Sequence, residues 1–321
     1  MKEDYLVLLY YCYSRIEDPE TFREQHHLRC LELNLKGRII IAEEGLNGTV
    51  SGLRADCEQY MADVKADSRF ADIEFKVDEV PEHCFTKLHV RVKPEIVHAS
   101  LHQIDPRKRT GGYVEPEEFR QILREQPEDT VILDVRSNYE HNVGKFKNAI
   151  TLDIENFRDF PEKVKELDHL KGKKVITYCT GGIKCEKASA YLLEQGFEDV
   201  HQLHGGIIKY GLEAEGEDFE GKCYVFDNRI VKDLNTVNPT IISKCYVTGQ
   251  PSDRMVNCAN PHCNKHVPMS EEGAKKYNGC CSEACSKHPD VRPYDGSGFY
   301  QKEMNGYNPY RGVKRKKETA E

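Results

Sequence analysis

The sequence predicts a mixed α/β protein in three parts, and three observations carry that prediction. Over residues 1–100 the hydrophobic pattern reads βαββαβ, the order of a ferredoxin-like (acylphosphatase-like) sandwich. Over residues 114–225 apolar strands alternate with helices, which implies a parallel sheet covered on both faces. Six of the 13 cysteines (Cys245, Cys258, Cys263, Cys280, Cys281 and Cys285) crowd into a small segment at 240–290. Residues 291–321, which carry the basic run Lys314 to Lys317, read as a disordered basic tail.

The elements follow in order. Tyr5 to Tyr11, β-branched, aromatic and Leu-rich, is a buried strand. Pro19 opens a helical pattern over Glu20 to Leu33, which Gly37 stops. Arg38 to Ala42 is a strand, Glu43 to Gly48 a turn in which Asn47-Gly48 supplies positive-φ positions, and Thr49 to Gly52 the returning strand. Ala55 to Asp67 is a helix, Ile73 to Val77 a strand and Lys87 to Lys93 an alternating segment. Polar residues 102–113 read as a linker. A helix over Pro116 to Glu125, strands at Val131 to Val135 and Lys174 to Cys179, a helix over Cys185 to Gln195 and a strand at Val200 to Leu203 build the second domain. Five acids between Leu212 and Glu220 mark a solvated connector.

Composition removes several classes of function. In 321 residues, 46 Lys and Arg against 54 Asp and Glu give a net charge of −8, which excludes a wholly basic nucleic-acid binder but not a local basic patch. The longest apolar run, Tyr5 to Cys12, is too short to cross a bilayer. No cleavable leader pattern follows Met1-Lys2-Glu3-Asp4, so a cytoplasmic protein is expected. An odd cysteine count in such a chain points to thiol chemistry or metal binding rather than a disulfide framework.

The most informative stretch is the apolar strand that ends on Cys179, the loop Thr180-Gly181-Gly182-Ile183-Lys184, and the helix opening near Cys185. Such a loop can turn several N–H groups toward one point while the helix N-terminus adds positive potential, and both effects favour a nucleophilic thiolate at Cys179. A Cys-x5-Arg phosphatase is disfavoured, because the sixth residue after Cys179 is Cys185 and Lys184 lacks the bidentate fork. The plainer alternative is a buried cysteine at a strand end.

These residues resemble a rhodanese domain, through Leu133-Asp134-Val135-Arg136 with Glu140, Gly144 to Ile150, the Cys179 loop and Leu203-His204-Gly205-Gly206-Ile207. Lys145, Asn148 and Tyr210 depart from that pattern away from the loop. Together with Ala42 to Gly52, Tyr224-Val225-Phe226-Asp227 and Val256 to Pro261, the set resembles the bacterial oxygen-dependent tRNA uridine hydroxylase family over most of the chain to Cys285. The resemblance implies 5-hydroxylation of a tRNA wobble uridine, molecular oxygen as co-substrate, a reductant of unknown identity, and a need for both Cys179 and Cys185. The alternatives are a persulfide or thiosulfate sulfurtransferase and a non-catalytic tRNA-binding or redox-sensing module.

Among the C-terminal cysteines, one tetrahedral zinc site drawn from Cys258, Cys263, Cys281 and Cys285 is expected, against a metal-free segment of reduced thiols. His262, His266 and His288 lie nearby, while Thr248, Ser252, Ser270 and Gly273 occupy positions where relatives carry further cysteines, so a two-metal arrangement is not expected. Lys87, Arg91 and Lys93, Arg107, Lys108 and Arg109, and the Lys314 to Lys317 tail are candidate tRNA phosphate contacts. No membrane partner is implied.

Overall fold

The computed structural model describes residues 4–294 and 296, so the Lys314 to Lys317 run lies outside the described residues. The described residues form two compact units, one of residues 4–141 with 145–239 and one of residues 142–144 with those from 240 onward.

The first unit begins with β1 (Tyr5–Tyr13), α1 (Pro19–Glu32), β2 (Lys36–Ala42), β3 (Gly45–Leu53), α2 (Arg54–Ala66), β4 (Phe75–Val80) and β5 (Leu88–Val92). They make one sheet in the order β4-β1-β3-β2-β5, antiparallel except for the β2–β5 pair. Asp18 caps α1 by accepting from the Thr21 N–H at 3.0 Å, and Pro19 sits where its missing N–H costs nothing. Strand alternation divides the sheet: Leu6, Leu8, Tyr10, Ile39, Ile41, Leu46 and Val50 pack with Cys30, Cys57, Tyr60 and Val64 of the two helices. Val7, Leu9, Tyr11, Arg38, Ile40, Asn47, Thr49, Lys76 and Asp78 occupy the other face, where they border a cavity.

Two local expectations are corrected. Ala42 pairs with Gly45, so the hairpin turns on Glu43-Glu44 alone, and Asn47-Gly48 lies inside β3. Gly48 is required by packing: a Cβ there would lie 2.2 Å from the Tyr10 hydroxyl. The first helix ends through Leu33 and Asn34, the latter at φ 50°, whereas Gly37 sits within β2, where a Cβ would meet the Thr49 carbonyl oxygen at 2.3 Å.

The expected linker is likewise more than a connector. Leu101 and Ile104 are buried in the second domain's core. The Glu95 carboxylate accepts from the N–H groups of Ala99, Ser100 and Leu101, which pins the chain as it leaves the first sheet. Gly112–Val114 then forms β6, parallel to a later strand.

The remaining elements of this unit are α3 (Pro116–Glu125), β7 (Thr130–Asp134), the short α4 (Asn138–His141), β8 (Gly144–Phe146), β9 (Ile150–Thr151), α5 (Phe160–Lys163), β10 (Lys174–Tyr178), α6 (Ile183–Glu194), β11 (Asp199–Leu203), α7 (Gly206–Glu213), β12 (Phe219–Gly221), β13 (Cys223–Tyr224) and β14 (Val231–Lys232). The parallel sheet runs β6-β11-β10-β7-β9. Its centre is buried on both faces: Val175 joins Val131 and Leu133 in one core, while Ile176 and Tyr178 join Val114 and Leu203 in another. The acidic connector is partly tied down, since Tyr210 donates to Asp218 at 3.0 Å, Arg124 pairs with Glu217 at 2.7 Å, and Phe219 is buried.

In the second unit, β15 (Met255–Asn257) and β16 (His266–Pro268) form an antiparallel hairpin, followed by α8 (Glu271–Lys276) and α9 (Glu283–Ser286). Its small core combines Val256, Val267, Met269 and Ala274 with four buried cysteines, and Cys285 packs against it.

Candidate active site

β10 delivers Cys179 to the start of the loop, and the loop returns the chain into α6 through Gly182, whose φ of +98° an L side chain rarely adopts. Cys179 is 1% exposed, and the atoms around its sulfur are donors. The Gly182 N–H reaches it at 3.2 Å, and the N–H groups of Lys184 and Cys185 and the Cys185 thiol point to it as well. Burial opposes ionisation, but these donors and the Lys184 charge outweigh it and bring the thiol down to about 7. Cys185 goes the other way: fully buried beside an anionic sulfur, its thiol is held well above the ordinary range and acts as a donor.

The loop is braced from behind and in front. Ile207 and Ile208 donate to the carbonyls of Cys179 and Thr180, both at 3.0 Å, and any Cβ on Gly206 would meet the Cys179 carbonyl oxygen at 2.5 Å. Lys184 pairs with Glu140, whose other ties include the Ser137 N–H at 3.1 Å. Next to it, Arg136 and Asp134 form a fully buried fork at 2.7 and 2.9 Å that shapes the β7 end of the site. These contacts give physical roles to the Asp134, Arg136 and Glu140 positions.

In front of the loop lies a cavity of about 370 Å³. Cys179, Thr180, Gly181, Ile183 and Lys184 line one side, the free face of β1 to β4 lines the other, and Ile96, Val97, His98, Ile208, Val225, Phe226, Asp227 and Arg229 complete the wall. The walls are mostly apolar, with cationic groups from Arg38, Lys76, Lys184 and Arg229. Arg229 bridges Asp227 and Asp78, so the Tyr224 to Asp227 motif stitches the chain after β13 to the first sheet. The Glu44 carboxylate accepts from the Ile96 N–H at 2.8 Å and pairs at 2.9 Å with Lys187 of α6, a fully buried cation that also meets Glu95 at 2.7 Å. The hairpin read from sequence as a turn is thus the clamp between the first sheet and the helix behind the nucleophile.

Sequence reasoning found the loop but missed Arg38, Asn47, Lys76, His98, Phe226 and Arg229. Strand alternation held the clue for the first three, since the face opposite the apolar one carries fixed polar groups rather than a plain solvated surface. None of the six described basic candidates lines the cavity. Lys87, Arg91 and Lys93 share one exposed face on and beside β5, and Lys108 and Arg109 are exposed, but Arg107 is spent on Asp105 at 2.8 and 2.9 Å.

In the second unit the four named thiols come together: the sulfurs of Cys258, Cys263, Cys281 and Cys285 all lie within 4.8 Å of one another, with Cys263–Cys281 at 3.7 Å and Cys281–Cys285 at 3.8 Å. A tetrahedral zinc with bonds of about 2.3 Å spaces its sulfurs by about 3.8 Å, so the quartet fits that ion. His266 is spent on Asn257, and His262 and His288 group with Asp290 apart from the quartet. Around Cys245, Thr248 and Ser270 donate to the sulfur at 3.4 and 3.3 Å, and a Cβ on Gly273 would reach it at 2.6 Å.

Fold and site define a rhodanese-domain protein whose cysteine loop is roofed by an acylphosphatase-like sheet. Residues 5–96 match the UPF0176 acylphosphatase like domain, 115–213 the rhodanese-like domain and 220–286 the rhodanase C-terminal family. A Cytophaga hutchinsonii protein named tRNA uridine(34) hydroxylase is 68% identical over 313 residues, covering 98% of this chain and 100% of its own. Proteins of the same name from Staphylococcus carnosus and Listeria welshimeri are 51% and 52% identical over 243 residues, each covering 74% of this chain and 76% of their own. The chain belongs to the tRNA uridine(34) hydroxylase family.

Proposed function

We propose that this protein hydroxylates C5 of the tRNA wobble uridine in the cavity between the first sheet and the Cys179 loop. The observation that carries the reading is a thiol lowered to about 7 opening on a largely apolar cavity of about 370 Å³, room for one extruded base. The Cys179 thiolate adds to C6 of the uracil, and the C5=C6 electron pair moves onto C5 and O4 as an enolate. One atom of molecular oxygen is transferred to C5, and the other leaves as water with two electrons from a reductant and two protons. Loss of the C5 proton then expels the thiolate and restores the double bond. Cys185 holds the thiolate by hydrogen bonding, and Lys184 holds it by charge.

A structural zinc in the Cys258, Cys263, Cys281 and Cys285 quartet would fix the C-terminal unit and supply no step of this chemistry. The Lys87, Arg91 and Lys93 face, with Lys108 and Arg109, is suited to tRNA phosphates, and the work belongs in the cytosol, where tRNA is found.

An anticodon stem-loop carrying 5-fluorouridine at position 34 tests the route, because fluorine replaces the C5 proton that must leave. Mass spectrometry should find a covalent adduct on Cys179 that Cys179→Ser abolishes. Active enzyme that never forms the adduct overturns base addition and turns attention to a Cys179 persulfide.

A further inference from the structure

We propose that Asn47 selects uracil in the cavity by accepting its N3–H, an inference that rests on the uridine reading above. Asn47 was read from sequence as a turn residue, and the structure removes that explanation by placing it mid-strand in β3 with its side chain on the cavity wall that faces Cys179. Its Nδ2 donates to the Ile96 carbonyl at 2.9 Å. A carbonyl only accepts, so this bond fixes the amide: nitrogen toward Ile96, oxygen away from it. Among the described residues no donor meets the Asn47 oxygen, and that oxygen is not sealed off, so it is an open acceptor on the cavity.

The amide is also held from behind. Ile96 is fully buried, its N–H is bound by Glu44, and Glu44 is paired with the buried Lys187. Turning the amide over would set its oxygen against the Ile96 carbonyl, so the acceptor cannot become a donor at low cost. Uracil presents N3–H, which such an acceptor satisfies. Cytosine presents an N3 lone pair, which would face the Asn47 oxygen with no proton between them. A rigid acceptor therefore admits one pyrimidine and rejects the other through an unpaired polar contact, a stronger filter than shape. Asn47 is a specificity-determining residue in this proposal, and it takes no part in bond making.

The test compares single-turnover hydroxylation of anticodon stem-loops carrying uridine or 3-methyluridine at position 34, which differ only at N3. Wild-type protein should lose ~10-fold or more on N3 methylation. Asn47→Ala should fall ~10-fold on uridine and treat the two bases within about 2-fold, since the methyl group enters the space the amide leaves. Asn47→Ser, whose short hydroxyl reaches neither the Ile96 carbonyl nor the oxygen's place, should behave alike and serves if the alanine variant folds poorly. The inference is overturned if either folded variant keeps the wild-type uridine rate, or is penalised by N3 methylation as heavily as wild type. Wild-type protein that hydroxylates neither stem-loop would instead strike at the uridine reading itself.

Discussion

The molecule carries two thiol centres that treat the same side chain in opposite ways. At the loop a single sulfur, Cys179, is surrounded by N–H groups, a thiol donor and a lysine, so the protein itself supports the anion. In the second unit four sulfurs lie together, with Cys263–Cys281 at 3.7 Å and Cys281–Cys285 at 3.8 Å, a spacing that suits a tetrahedral metal ion. Cysteine content alone does not separate a reagent from a ligand; the identity of each sulfur's neighbours does.

Substitutions at each centre test that separation. Cys179→Ser should have the largest effect, a loss of about 10³-fold or more in 5-hydroxyuridine formed per tRNA, with metal content unchanged. Nucleoside mass spectrometry beside metal analysis measures both, and surviving activity would dissolve the distinction. Cys281→Ser should lower bound zinc from about one equivalent to below ~0.2 and expose the C-terminal unit to protease, while alkylation of Cys179 keeps its midpoint near pH 7. Zinc-free wild-type protein of equal protease resistance would remove the metal from the second centre.

A smaller effect sharpens the loop's side of the comparison. Cys185→Ala deletes a donor to the Cys179 anion, so the thiol form gains and the iodoacetamide midpoint should rise from about 7 by roughly one pH unit, slowing alkylation at neutral pH; Cys185→Ser keeps a donor and should stay near wild type. Equal shifts in both variants would mean that Cys185 acts by packing alone.

The sequence already exposed the loop and the thiol quartet, because both are written in residues that lie close together in the chain. The βαββαβ order and the parallel sheet were legible from periodicity for the same reason. What stayed hidden depends on partners far along the chain. Asn47-Gly48 carries the usual marks of a turn, yet Tyr10 and Ile96 decide its role. Glu44 looks like a solvated turn acid until Lys187 meets it. Residues 102–113 look free until the core takes Ile104 and the sheet takes Gly112 and Tyr113.

Gly181 and Gly182 have a consequence for how the chain is made. A Cβ on either would come within 2.8 Å of Leu9 or 2.9 Å of the Tyr11 hydroxyl, and Tyr11 in turn donates to Glu186, 175 positions later in the chain. On a ribosome adding ~5–20 residues per second, the wall of the site emerges about 10–35 s before the loop that must fit under it. The nucleophile is therefore synthesised after the sheet it must fit against, and the wall is completed only by Ile208 and Val225 to Arg229, which leave the ribosome after the loop.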